Sequence, residues 1–298
     1  MSSMLKVGYF ADGPWAHGAL QFLLDDPSIA IPFICARADN PDPHLRQQSA
    51  ANQIAFLVYP NINSETTIDG IDKYNCDLFV SMSFNQIFRQ PLYSLPRLGT
   101  INCHAGRLPQ YRGRNILNWA LINDEKEFGI TVHYVDDGVD TGDIIRQRSY
   151  PITDADDYHS LLLKAYTECP KLLYEAICDI RDNKVQRIPQ HTLPASPLIC
   201  SQRIPGDEII DWRLTSREIF CFIRSLVPPG PCATTTLDNQ QVFITKAELV
   251  EDAPAYRGIP GAILAKEGSG FLVKTGDTYI RIINWSSNSP LRAGARFK

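Results

Sequence analysis

Thr100-Ile-Asn-Cys-His-Ala105 is an apolar run broken by two polar side chains, Asn102 and His104, two positions apart. At that spacing they share one face of a β-strand, and Cys103 turns to the other. Working outward, comparable short apolar runs stand at residues 6–10, 29–36, 77–82, 129–135 and 144–150. Helical patterns separate them at 15–24, 42–52 and 116–123, and a longer one follows at about 157–182. In the long one, Leu161, Leu162, Ala165, Cys169, Leu172, Leu173, Ala176, Ile177 and Ile180 repeat at helical spacing, and Pro170 is expected to kink or restart it. Strands alternating with helices predict an α/β fold built on a mostly parallel sheet.

The character changes after about residue 187. Pro189, Pro194, Pro197 and Pro205 stand in a stretch with little periodicity, which reads as a linker. Thr215-Ser-Arg-Glu218 is a capping box, and Ile219, Phe222, Ile223 and Leu226 form one helical face behind it. Short strand-like runs follow at 241–249, 261–266, 271–274 and 278–283, with Glu267-Gly-Ser-Gly270 and Thr275-Gly-Asp277 as tight turns. A small β-rich barrel or sheet is the expectation for this tail. The predicted division is 1–190 for a catalytic domain, 191–206 for a linker and 207–298 for the C-terminal domain.

At 298 residues, 44% apolar and 21% charged, the chain has the composition of a globular protein of about two domains. Its net charge of −4 argues against a broad nucleic-acid surface, and no apolar run approaches the ~20 residues of a membrane span. The start, Met1-Ser-Ser-Met-Leu-Lys-Val, lacks a basic segment followed by a long apolar core. The eight cysteines are too sparse for a disulfide scaffold and form no Cys-x-x-Cys. A cytoplasmic protein with reduced thiols and no metal is expected.

Three pieces carry chemistry. His104 beside Asn102 at a strand end pairs a proton acceptor with a neutral hydrogen-bond donor, which suits attack of a nucleophile on a carbonyl. The bland alternative is two ordinary polar residues satisfied at a strand end. Cys103 faces away and reads as a core residue. Asp136-Asp-Gly-Val-Asp-Thr-Gly-Asp143 is an acidic, glycine-containing loop, one of whose carboxylates could orient His104. It could equally be a solvated turn, and it lacks the spacing of an EF-hand calcium loop. Leu108-Pro-Gln-Tyr-Arg-Gly-Arg114 sets two arginines around a glycine, a pattern that can hold an anion.

In this order and spacing, Asn102-x-His104, Leu108-Pro-x-Tyr-Arg-Gly113 and Asp140-x-Gly142-Asp143 resemble the 10-formyltetrahydrofolate-dependent formyltransferases. Ile210-Asp-Trp212 and Pro229-Gly-Pro-Cys-Ala233 are similar to the opening of that family's C-terminal domain. The resemblance implies a Rossmann-like catalytic domain with an OB-like tail, and N10-formyltetrahydrofolate as formyl donor. It assigns Asn102, His104 and Asp140 to catalysis. It places the folate at Gln86, Ile87 and Phe88, at Asp136, Asp137 and Gly138, and near Arg114. Gly13, Trp15, Tyr111, Arg112 and Asn115 fall on the acceptor side, with Trp15 either stacking on a base or packing in the core.

Tyr111-Arg-Gly-Arg-Asn-Ile-Leu-Asn-Trp119, followed by Gly129-Ile-Thr-Val-His133, looks most like the sugar N-formyltransferases. That branch implies a nucleotide-linked amino sugar as acceptor, with dTDP-4-amino-4,6-dideoxyglucose the first choice. The same resemblance implies a place in lipopolysaccharide O-antigen biosynthesis. A homodimer, and no nucleic-acid or membrane partner, go with it. The alternatives inside the family are methionyl-tRNA formyltransferase and formyltetrahydrofolate hydrolase.

Overall fold

The structure is a computed structural model and describes residues 4–298; Met1–Ser3, the first part of the start discussed above, lie outside the described residues. The chain divides into two compact units. The first takes residues up to Gly113, Phe128–Tyr150 and Leu163–Ile199; the second takes Arg114–Glu127, Pro151–Leu162 and Cys200–Lys298.

The first unit is built on β1 (Leu5–Ala11), α1 (Gly13–Asp25), β2 (Ile29–Ala36), α2 (Pro43–Ala51), β3 (Ala55–Val58), α3 (Glu65–Asp72), β4 (Leu78–Met82) and β5 (Thr100–His104). It continues through β6 (Arg112–Gly113), β7 (Glu127–Tyr134), β8 (Ile144–Pro151) and most of α5 (Tyr158–Arg181). Seven strands form one sheet in the order β3-β2-β1-β4-β5-β7-β8. The pairings from β3 to β5 are parallel, and β7 runs antiparallel to β5. Central strands covered on both faces need apolar residues throughout, as β1 shows, with only Lys6 exposed.

The sheet order turns at β1, with β2 on one flank and β4 on the other, and this opens a crevice at the carboxyl ends of β1 and β4. The Asp12 N–H donates to Met82 O there at 3.1 Å. Because β5 runs parallel to β4, His104 emerges at the same end. Phe10 anchors this end from below, with edge-on ring contacts to Phe33, Phe79, Phe84 and Phe88 at 5.5, 5.3, 5.6 and 4.8 Å. Such pairs contribute about 0.5–1.5 kcal/mol each beyond area burial, and they fix the loop after β4. Gly8 is required beneath this cluster, because a Cβ there would stand 2.6 Å from the Phe33 ring.

β3 and α3 were missed from sequence. β3 has only four half-buried residues, too few to show a period. α3 carries two threonines and a glycine, and is held at its start by Ser64, whose hydroxyl accepts from Thr67 N–H. Pro170 neither ends nor restarts α5, which runs as one helix through it. Gly18 of α1 supplies the space: a Cβ there would come within 3.0 Å of Pro170 Cγ.

The second unit holds α4 (Ile116–Ile122), α6 (Ser216–Ser225) and β10 (Ala233–Leu237), β11 (Gln240–Leu249), β12 (Ile263–Glu267), β13 (Gly270–Lys274) and β14 (Tyr279–Ser287). Between the units in sequence lies the two-residue strand β9 (Ile199–Cys200). The five strands form an antiparallel sheet in the order β10-β11-β14-β13-β12. β10, a threonine run without apolar alternation, was not foreseen. Thr215 and Glu218 form the expected capping box on α6.

The last residues close the sheet. Ala295 O accepts from Ile263 N–H and Phe297 N–H donates to Gly261 O, while Lys298 exchanges both backbone bonds with Thr236. One segment thereby bonds to both edge strands, at Ile263 and at Thr236. Phe297 stacks on Trp212 at 5.2 Å, in a core shared with Ile219, Ile223 and Ile282.

Candidate active site

β5 delivers Asn102 and His104 on one face, as its period of two requires, and sends Cys103 the other way, where its thiol meets Cys169 O at 3.7 Å. Antiparallel pairing with β7 sets His133 opposite Asn102 and Thr131 opposite His104. His104 Nε2 lies 2.7 Å from Tyr111 O. A carbonyl only accepts, so Nε2 carries the proton of the neutral ring and Nδ1 holds the free lone pair. Gly106 makes this contact possible, since a Cβ there would fall 2.4 Å from Nε2 and 2.5 Å from Tyr111 O.

The free Nδ1 faces Asp140 Oδ2 at 3.7 Å. The other carboxylate oxygen lies 3.5 Å from His133 Nε2. Gly113 N–H donates to Asp140 Oδ2 at 2.9 Å. The Asp140 backbone is left-handed, with φ of 53°, an uncommon conformation that must be held by its neighbours. His133 Nδ1 donates to Tyr134 O at 2.7 Å, which leaves Nε2 to accept from Asn102 Nδ2 at 3.3 Å.

Burial lowers the pKa of His104, and the Asp140 anion opposes that without reversing it, so the ring is a free base near neutrality. Burial alone would raise Asp140. The positive charge that His104 carries when protonated, with the Gly113 N–H donated to Oδ2, outweighs burial and holds the carboxyl well below the usual carboxylate range. Asp140 is therefore the fixed anion beside His104.

This differs from a hydrolase triad in one respect. There the carboxylate binds the nitrogen opposite the catalytic one. Here the nitrogen able to take a proton is the one beside Asp140, and the opposite nitrogen is held by a backbone carbonyl. A proton arriving at Nδ1 lands directly against an anion. The cluster can accept a proton and offer the second Asn102 amide N–H to a developing negative oxygen.

The other sequence-derived positions are dispersed. In the loop after β4, the Gln86 carboxamide spans Tyr59 O and Ile62 N–H, Phe88 is buried in the Phe10 cluster, and Ile87 is 63% exposed. Asp136 accepts from Thr141 Oγ1 and Gly138 N–H, and Asp137 from Tyr93 Oη. Gly13, at φ of 70°, donates its N–H to Asp42 Oδ2, and the Trp15 ring packs edge-on against Tyr166 at 4.8 Å. Tyr111 is buried with φ of 58° and offers its carbonyl to His104. Arg112, expected on the acceptor, is bonded through Nε and Nη2 to Gln190 Oε1. Arg114 and Asn115 belong to the second unit, where they bind Gln202 Oε1 and Arg203 N–H.

Sequence reasoning gave His133 and Gln190 no role. A signal for His133 was present: Thr131 and His133 are polar at alternate positions of an otherwise apolar, fully buried stretch of β7. Gln190 carried none, because it stands in the proline-rich stretch where no period exists.

A Rossmann-like sheet with an Asn–His–Asp cluster at its carboxyl edge, joined to a small antiparallel β domain, defines the class of protein. Residues 33–177 match Formyl transferase and residues 204–293 match Formyl transferase, C-terminal domain. The chain is 32% identical over 283 residues to a methionyl-tRNA formyltransferase of Halalkalibacterium halodurans, covering 92% of this chain and 87% of that one. It is 32% identical over 220 residues to the bifunctional polymyxin resistance protein ArnA of Wigglesworthia glossinidia brevipalpis, covering 74% of this chain and 33% of that one. The structure of WlaRD, a sugar 3N-formyl transferase solved in the presence of dTDP and 5-N-formyl-THF, superposes with a TM-score of 0.70 at 20% identity, over 97% of this chain and 99% of that one. The protein belongs to the formyl transferase family, whose formyl donor is N10-formyltetrahydrofolate.

Proposed function

We propose that the protein moves the formyl group of N10-formyltetrahydrofolate to the amine of a nucleotide-linked amino sugar, with dTDP-4-amino-4,6-dideoxyglucose the first candidate. The observation that carries this reading is the charge of the C-terminal domain. Residues 207–298 hold eleven Lys and Arg against ten Asp and Glu. Arg213, Arg217, Arg224, Arg281 and Arg292 are each within ion-pair distance of a carboxylate of the same unit, and Lys274 is buried. A grip on an RNA acceptor stem needs clustered, unneutralised cations. A small nucleotide sugar does not.

In this reading His104 Nδ1 takes the proton released as the amine attacks the formyl carbon, and Asp140 stabilises the resulting imidazolium. Asn102 donates to the tetrahedral oxyanion; as that intermediate collapses the formyl carbon–N10 bond breaks, and tetrahydrofolate leaves with the proton returned to N10 from His104. Tyr111 O holds the ring so that Nδ1 stays basic. General-base catalysis supplies on the order of 10²–10⁴-fold, and one oxyanion donor about 10²–10³-fold. For the folate, main-chain groups at Gln86-Ile-Phe88 and the Asp136–Gly138 turn are the assigned contacts. The side chains at 86, 88, 136 and 137 are already bonded or buried, which fits recognition through backbone donors and acceptors. The C-terminal domain is assigned to dimer formation, which sedimentation would check.

The test supplies formyltetrahydrofolate with dTDP-, UDP- and GDP-amino sugars and follows formylated product by mass spectrometry. Formylation of none of them sinks the sugar reading. The second reading, methionyl-tRNA formylation, is favoured by the 32% identity to an enzyme of that name over most of its length. It requires product on charged initiator tRNA with a steep salt dependence. Formate released without any amine would instead identify a hydrolase.

A further inference from the structure

Gln190 opens the short 3-10 turn Gln190–Thr192, just beyond a two-way backbone pairing of Ile188 with Ile144. It is 4% exposed and uses every hydrogen-bonding site of its carboxamide. Oε1 accepts from Arg112 Nε at 3.2 Å and Nη2 at 2.6 Å. Nε2 donates to Asp140 O and Gly142 O, both at 2.8 Å. The amide orientation is forced, because a guanidinium only donates and carbonyls only accept.

Asp140 is thus gripped at two points. Its carboxylate is held by Gly113 N–H and its carbonyl by Gln190, and both grips trace back to the adjacent residues Arg112 and Gly113. This ring of bonds braces a left-handed non-glycine residue in a loop that places its carboxylate against two imidazoles. Four satisfied bonds on one buried amide make it a specific brace, since a partly satisfied one would be costly.

We propose that Gln190 is the positioning residue that holds Asp140 against His104, and that Arg112 acts through Gln190 rather than on the acceptor. The proposal rests on the reading of Asn102, His104 and Asp140 as the reacting group. Its primary test therefore avoids any acceptor: the His104 imidazole is titrated by NMR in the full chain with labelled histidine.

Asp140→Asn should lower the His104 midpoint, because the anion that raises it is gone. Gln190→Met keeps the side-chain length and removes the amide, and it should lower the midpoint by at least half as much. Adding Gln190→Met to Asp140→Asn should change nothing more. Arg112→Met should shift the midpoint the same way and by less, and serves if Gln190→Met does not fold. A folded Gln190→Met with an unmoved His104, or a shift that adds fully to that of Asp140→Asn, overturns the proposal. So does an Asp140→Asn that leaves His104 unmoved. Loss of all activity on the sugar panel in the unaltered protein bears on the acceptor and leaves this titration standing.

Discussion

His104 Nε2 donates to the carbonyl of Tyr111 at 2.7 Å, and that single bond decides which imidazole nitrogen is the base. Gly106 leaves the room for it. Gly106→Ala would push a methyl to 2.4 Å from His104 Nε2 and 2.5 Å from Tyr111 O, far inside van der Waals contact with both. The variant should lose formyl transfer, with an altered His104 tautomer visible in ¹⁵N imidazole shifts. An unchanged tautomer and normal turnover would show that the bond does not set the chemistry.

His104→Ala removes the proton acceptor while leaving the sheet intact. Turnover should fall by about 10²–10⁴-fold, with folate affinity changed little. Single-turnover rates together with folate titration by fluorescence separate the two effects. Near-normal turnover would remove His104 from the mechanism.

The pH profile follows from the same residue. Burial lowers His104, and the neutral ring is the active form. The acidic limb of kcat/KM should therefore lie below the usual histidine value of about 6.5, with a plateau above it. Asp140→Asn takes away the charge that raises His104, so the limb should move further down in pH while the plateau falls. A limb moving upward would contradict the electrostatics.

Asp140 also links pH to stability. Its folded pKa is depressed, so its contribution is fully present above the unfolded value of about 3.9 and is lost as pH falls through the lower folded value. Asp140→Asn should flatten that part of the acid-unfolding curve, measured by circular dichroism between pH 5 and 2.

Phe297 fastens the segment that bonds to both edges of the C-terminal sheet. Phe297→Ala should cost about 3–5 kcal/mol, as expected for a buried aromatic stacked on Trp212. Thermal unfolding followed by tryptophan fluorescence would register it. A loss below ~1 kcal/mol would mean that the C-terminal segment docks without this ring.

Much of the architecture was legible in the chain because it rests on local rules. Apolar runs set β1, β2, β4, β5, β7 and β8 to within about two residues, and a capping box marked the start of α6. β3 and β10 escaped because four half-buried residues and a threonine run have no period to read. The Asn102–His104 pair was legible because the two lie on one strand at a spacing of two.

What the sequence by itself determined was the fold class, the family likeness and the facing of Asn102 and His104, all products of short-range periodicity and motif spacing. Tertiary structure alone decided the rest. It brought His133 across from β7 by strand register, folded Asp140 back under Gly113, and bound Arg112 to Gln190, 78 positions further on. It also chose the basic nitrogen of His104. A proton's place on an imidazole depends on which carbonyl stands nearest, and no spacing in the chain encodes that distance.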